Sequence, residues 1–206
     1  DGTGDGAGDD QGTDGTGNDT GDGQRADQTG SSTGDGQSAA GGNAAVQTIA
    51  LDGLDTTVQS WGLGSHTDAD RPNDAVSAQQ KYGDYHALFI GENTKTLYLT
   101  FDEGYEYGYT ESILDTLKEK GVHAVFFVTE PYAKAEPALV QRMIDEGHVV
   151  GNHSVMHPSA GIPSLTVEQQ QEEVMGNHQY IKDTFGYEMN LFRYPAGKFS
   201  EQSLAV

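Results

Sequence analysis

Large apolar residues are missing from positions 1–45 and afterwards arrive in short bursts whose spacing changes along the chain. From Thr96 the bursts settle into an alternation. Thr96–Phe101 is β-branched, aromatic and apolar, as a buried strand should be. Thr110–Lys120 puts Ile113, Leu114 and Leu117 on one helical face, with Gly121 as a stop signal. Val122–Val128 reads as a second strand. Glu136–Glu146 reads as a second helix, with Pro137 in its first turn, Leu139, Val140, Met143 and Ile144 on its buried side, and Gly147 at its end. His148–Gly151 follows as a short third strand. A third helix runs from about Thr166 to Phe185, where Thr166 and Gln169 have capping-box spacing. Asn190–Arg193 is a fourth short strand. Strands and helices that alternate with short links imply parallel strands joined by right-handed crossovers. The expected fold class is therefore α/β with about four βα units over residues 95–206.

Residues 46–94 carry a weaker pattern. Trp61-Gly62-Leu63-Gly64 supplies one aromatic anchor and Arg71-Pro72-Asn73-Asp74 a turn signal, while Tyr82, Tyr85 and Phe89 are available to pack on a neighbouring domain. An ordered lead-in with little regular structure is expected there. Residues 1–45 hold 14 of the 28 glycines, nine Asp and one cation, Arg25. Such a segment cannot bury enough apolar surface to offset chain entropy, so a disordered, self-repelling acidic linker is expected. Its Gly–Asp alternation resembles a calcium-binding repeat, but the large apolar positions and the Glu such sites need are missing.

Charge and composition then exclude several classes. The formal net charge is −21, from 32 acidic and 11 basic residues, which argues against nucleic-acid binding because phosphate contacts need clustered Lys and Arg. No stretch approaches the roughly 18 apolar residues of a membrane span. Without cysteine the chain has neither disulfides nor thiolate chemistry. It opens at Asp1 inside a low-complexity run, so a processed or incomplete product is expected, with any signal or anchor upstream.

In parallel α/β folds functional groups gather beyond the C-terminal ends of the strands. Three expected strand ends carry polar clusters: Asp102-Glu103-Gly104, Asn152-His153-Ser154-Val155-Met156-His157-Pro158, and Arg193-Tyr194-Pro195-Ala196-Gly197. If one helical turn follows the third strand, His153 and His157 project from one face and can share a cation. A carboxylate from Asp102 or Glu103 would complete a two-His, one-carboxylate set with open positions for water and substrate. Adjacent carboxylates on a strand cannot point the same way, which leaves one free as a base. Arg193 is expected to pair with these carboxylates. Tyr105, Glu106, Tyr107 and Tyr109 form an aromatic, acidic loop beside Asp102. Carbohydrate stacking and packing over the first helix are both open for them. His148 is expected to be structural, His123 sits among strand residues, and His66, His86 and His178 have no polar cluster near them.

The three clusters, with Thr100-Phe101 before the first, resemble in order and spacing the first three motifs of the polysaccharide deacetylase (NodB-homology, carbohydrate esterase 4) family. Trp61-Gly62-Leu63 and the form Phe-Asp-Glu-Gly-Tyr-Glu resemble the branch that deacetylates peptidoglycan N-acetylmuramic acid, the step before δ-lactam formation in spore cortex. The resemblance runs from about Trp61 to the last residue. It implies a distorted (β/α) barrel, incomplete here, and metal-dependent hydrolysis of N-acetyl groups on a glycan. It further implies Asp102 as general base, His153 and His157 with Glu103 as ligands of a divalent ion (Zn²⁺, with Co²⁺ or Mn²⁺ as alternatives), and Arg193 as the group that orients Asp102. Tyr105, Tyr194, Pro195 and Ala196 become substrate contacts, the backbone N–H near Ala196 helping to hold an oxyanion. Two positions depart from the family pattern: Glu103 stands where Asp is usual, and Tyr194 where Pro is usual. The family's Leu-x-His segment, which supplies the acid for the leaving amine, would lie beyond Val206, so this stretch alone is expected to be inactive. The resemblance implies an extracellular, wall- or cortex-associated bacterial monomer acting on peptidoglycan. A non-catalytic wall-glycan-binding module, or a chitooligosaccharide or xylan deacetylase, are the alternatives.

Overall fold

A computed structural model describes residues 50–63 and 70–206; the expected linker over 1–45 and His66 lie outside the described residues. In chain order the elements are β1 (Gln59–Ser60), α1 (Asn73–Tyr82), β2 (Thr100–Glu103), α2 (Thr110–Lys120), β3 (Val125–Val128), α3 (Glu130–Ala135), α4 (Pro137–Asp145), β4 (Val149–Asn152), α5 (Val167–Phe185), β5 (Lys198–Phe199) and α6 (Glu201–Ala205). β2, β3 and β4 form a parallel sheet in that order, with Asp102 level with Phe127 and Phe127 level with Gly151.

Side chains alternate across such a sheet. Phe126, Val128 and Val150 face the helices, where Leu114 and Leu117 of α2, Leu139, Val140 and Met143 of α4, Tyr132 of α3 and Ile181 of α5 close a single core. Each fully buried side chain of this size contributes roughly 1.5–3 kcal/mol. The stop signals act as expected at two helix ends. Gly121 adopts φ 62° and closes α2 through Leu117 and Lys118 carbonyls. The Thr166 hydroxyl accepts from Gln169 N–H while the Gln169 side chain accepts from Thr166 N–H, giving α5 a complete capping box.

The structure departs from the pattern in four places. The first strand begins at Thr100 rather than Thr96, leaving Leu97, Tyr98 and Leu99 exposed. Its neighbour β3 begins only at Val125, because the Val122 N–H is used to cap α2 at Leu117 O, so residues 96–98 have nothing to pair with. The expected strand Asn190–Arg193 is reduced to one parallel bridge between Asn152 and Phe192. Pro195, which has no N–H, then turns the chain away. A six-residue helix, α3, precedes α4 and is capped by Thr129.

The lead-in, expected to be irregular, contains α1 of ten residues. Only Ala75 and Tyr82 of α1 are buried, so no apolar stripe announces it. The same lead-in clasps the end of the chain. β1 pairs antiparallel with β5, and Trp61, Tyr82, Phe89 and Phe199 form one run of ring contacts. Glu201 accepts from Tyr85 Oη and from Asp55 N–H. No helix among the described residues is long and apolar enough to cross a membrane.

Thr166→Ala removes one side of the capping box and should cost about 1 kcal/mol in urea unfolding. The loss should be shared by Gln169→Ala and should not add in the double variant.

Candidate active site

Asp102 and Glu103 end β2 on opposite faces of the sheet. Asp102 shares the face of Thr100, away from the helices. Its Oδ1 accepts from Arg193 Nη1 at 2.7 Å, while Arg193 Nη2 donates to Thr100 Oγ1 at 3.0 Å. Asp102 Oδ2 stands 4.0 Å from His153 Nε2. The first and third strand ends and the segment after Asn190 are therefore brought together as the sequence predicts.

His153 is almost fully buried, and its Nδ1 hydrogen-bonds the Arg193 carbonyl at 2.9 Å. Burial holds its pKa below the ordinary imidazole range, outweighing the carbonyl and Asp102, which act the other way. A neutral ring that donates from Nδ1 keeps the Nε2 lone pair free on the side of Asp102. The His157 ring lies 4.7 Å from it, edge to face. The pair meets without the helical turn expected after the strand. Ser154 (φ 72°) and His157 (φ 49°) are left-handed, and the His157 N–H donates to Ser154 Oγ. Such backbone costs a non-glycine residue roughly 1–2 kcal/mol, so neighbours must hold it in place.

Those neighbours come from α5. Asn152 Oδ1 accepts from Ser154 N–H and from Asn177 Nδ2, while Asn152 Nδ2 donates to Val174 O. Asn177, fully buried, also donates to Val128 O. Glu173 accepts from Met156 N–H through its side chain and from Val155 N–H through its carbonyl. The sequence reading missed Asn177 and Glu173. The available signal is that Gln170, Asn177 and Ile181 share the buried face of α5, an expensive place for an amide unless it is hydrogen-bonded.

Glu103 lies on the other face of β2 from Asp102, together with Phe101, and no group of three or more His, Asp or Glu side chains among the described residues gathers it with the imidazoles. Strand alternation is the reason. Desolvation first, then Glu106 and Asp102, raise its pKa from 4.5 to about 7. Glu106 is the loop's anchor. It accepts from the N–H groups of Gly108, Tyr109 and Thr110, from the Thr110 hydroxyl and from Tyr132 Oη. The bonds from the Thr110 hydroxyl foremost, and from the Thr110, Gly108 and Tyr109 N–H groups, lower its pKa to about 2. Tyr105, Tyr107 and Tyr109 are 75, 77 and 66% exposed, so none of them packs over α2.

Tyr194 is half-buried. Its ring packs on Phe192 and its hydroxyl donates to Ser203 O; burial pushes its pKa up to about 12. Pro195 is buried beside it. Ala196 has φ 54°, and the turn is closed by Gly197 N–H on Tyr194 O. Gly197 itself (φ 62°) is irreplaceable, since a Cβ would strike the Trp61 carbonyl oxygen. His148 is structural, its Nδ1 accepting from Ala124 N–H.

The His153–His157 pair fits a divalent cation by donor type, and the Nδ1 bond of His153 leaves its Nε2 as the donor. Among the described residues, however, no group of three or more His, Asp or Glu side chains is arranged around one point to hold it.

Residues 90–206 match the pattern of the polysaccharide deacetylase family. The chain is 36% identical over 167 residues to the peptidoglycan-N-acetylmuramic acid deacetylase PdaA of Bacillus subtilis, covering 80% of this chain and 61% of that protein. The solved structure of Bacillus subtilis PdaA, a family 4 carbohydrate esterase, superposes with a TM-score of 0.66 at 38% identity, over 73% of this chain and 64% of that one. A family 4 carbohydrate esterase from Bacillus anthracis gives 0.63 at 40% identity, over 74% and 69%. The chain thus spans about three fifths of the length of this curated relative.

A carboxyl whose folded pKa is raised from 4.5 to about 7 destabilises the fold as pH rises through that window. Glu103→Gln should therefore raise the melting temperature little at pH 4.5 and progressively more up to about pH 7, with a plateau above it. Melting curves across this range read the difference directly; a constant offset would mean that Glu103 is not desolvated.

Proposed function

Because the chain belongs to the polysaccharide deacetylase family, we propose that the protein hydrolyses N-acetyl groups from a glycan, with peptidoglycan N-acetylmuramic acid as substrate. One observation carries this reading: Asp102, held through one oxygen by Arg193, turns its other oxygen toward a buried neutral imidazole. A carboxylate with one oxygen committed and one free suits a general base. Asp102 Oδ2 takes a proton from the attacking water, whose oxygen bonds the acetyl carbonyl carbon; that proton passes on to the nitrogen as the C–N bond breaks, so that acetate and the amine leave and Asp102 is again a carboxylate.

His153 Nε2 and the His157 ring would hold the divalent ion, Zn²⁺ by preference, with Co²⁺ or Mn²⁺ able to replace it. When bound, the ion supplies Lewis acidity to the acetyl carbonyl and acidifies water. The backbone N–H at Ala196, in the strained turn, would help to hold the developing oxyanion. Tyr105, exposed and edge-on to Tyr107 at 5.7 Å, offers a stacking face to the sugar chain. A wall substrate puts the protein outside the cell, at the wall or spore cortex. The relative's name supports the muramic sugar, and the other readings on this scaffold, chitooligosaccharide or xylan, are separated by a substrate panel.

The two-imidazole set, without Glu103, favours a second reading: a wall-glycan-binding module that keeps the fold and lacks the chemistry. Acetate release decides between the two. The protein at its full natural length, loaded with zinc or cobalt, should release acetate from peptidoglycan. Chelation should abolish the activity and Zn²⁺ restore it, and Asp102→Asn should lower kcat by about 10²–10⁴-fold with folding intact. Calorimetric zinc binding should be lost in His153→Ala and His157→Ala. Glycan binding without acetate release from any substrate in the panel would overturn the hydrolase and leave the binding module.

A further inference from the structure

Phe127 is buried, at 6% exposure, yet it stands outside the hydrophobic core that takes in its neighbours Phe126 and Val128. It points to the other face of the sheet, where Asp102 is level with it on one side and Gly151 on the other. What covers it there is Arg193, whose guanidinium carbon lies 4.1 Å from the ring centroid. The ring also occupies the space that a side chain at Gly151 would need: a Cβ there would come within 2.5 Å of Phe127 Cδ1. The guanidinium's own donors run to Asp102 Oδ1 and Thr100 Oγ1.

A guanidinium is a flat group, and two hydrogen bonds along one edge leave it free to tilt about that edge. An aromatic face beneath it removes the tilt, since the ring attracts the cation and sets its plane. The need is real here, because the Arg193 side chain is 35% exposed and has water to turn to. Thr100 alone is a weak tether, being a neutral partner on the same edge.

We propose that Phe127 is a positioning residue for the deacetylation. Acting through Arg193, it fixes the direction of the free Asp102 oxygen, and Gly151 is the missing side chain that admits the ring. The inference rests on the reading of Asp102 as general base and adds a residue that touches neither substrate nor metal. An interaction that aims the base lowers the barrier without holding the ground-state substrate, so its loss should appear in kcat rather than KM.

Two measurements test it, and one does not depend on activity. The Arg193 Nε–H proton should resonate upfield of ordinary arginines because it sits over a ring. Phe127→Tyr, which keeps the face, should preserve that shift, whereas Phe127→Leu and Phe127→Met, which keep apolar volume, should abolish it. In acetate-release kinetics Phe127→Leu should lose about tenfold in kcat with KM within about twofold, and Phe127→Tyr should recover most of that loss. In an Arg193→Lys background Phe127→Leu should add almost nothing, since lysine has no plane to set. Melting temperatures confirm that each variant is folded, with Phe127→Met standing in if Phe127→Leu is not. A normal Arg193 resonance in the unaltered protein, or an active protein whose Leu and Met variants keep wild-type kcat, overturns the inference. An unaltered protein with a ring-shifted Arg193 but no acetate release overturns the reading of Asp102 instead.

Discussion

The site depends on a single residue that serves two partners by two different routes. Arg193 holds Asp102 with its side chain across 91 positions of sequence, and with its own carbonyl it takes the Nδ1 hydrogen of His153 across 40. The base and the first imidazole are thus aimed from one point of backbone. That backbone is placed by the bridge at Phe192, where Asn152 N–H bonds Leu191 O and Arg193 N–H bonds Asn152 O. The weak fourth strand is therefore short for a reason: beyond the bridge, the chain's polar groups are used on the site rather than on a ladder.

The second dependency is on α5. Three of the four non-glycine residues with positive φ among the described residues, Ser154, His157 and Ala196, belong to the two motif loops. Strain of this kind persists only when the surroundings over-determine it. For Ser154 and His157 the surroundings are the Asn152 amide of β4, held by Asn177 of α5, and the Glu173 carboxylate of α5. For Ala196 they are the Gly197 N–H bond to Tyr194 O that closes the turn and the Trp61 N–H bond to Gly197 O. Side chains hold one loop and backbone hydrogen bonds the other.

The helices α2, α4 and α5 were legible within a residue or two, because their apolar spacing, stop glycines and capping box all agree. Asp102, His153, His157 and Arg193 were legible as a group because each ends a strand or stands where one was expected. What could not be read was phase. A strand's two faces differ by one position, so the sequence shows that Asp102 and Glu103 separate, while which one joins the imidazoles is set by the register with β3. Nor could it be read that His153 and His157 meet through left-handed residues rather than a helical turn, since neither Ser154 nor His157 is a glycine. α1 was hidden for the opposite reason: it buries only two side chains, and the periodic signal comes from burial.

The lead-in has a consequence for where this domain begins. The family pattern starts at residue 90 and the strand–helix alternation at Thr96, so either landmark would set the boundary after α1. Yet Trp61 N–H bonds the Gly197 carbonyl, β1 is the partner of β5 among the described residues, and Tyr82 and Phe89 pack on Phe199. Residues before the boundary are the floor on which the Ala196 turn rests. The unit that folds is thus longer than the unit that is recognisable, and a piece cut to the recognisable one would keep every motif while losing the surface against which the last of them is shaped.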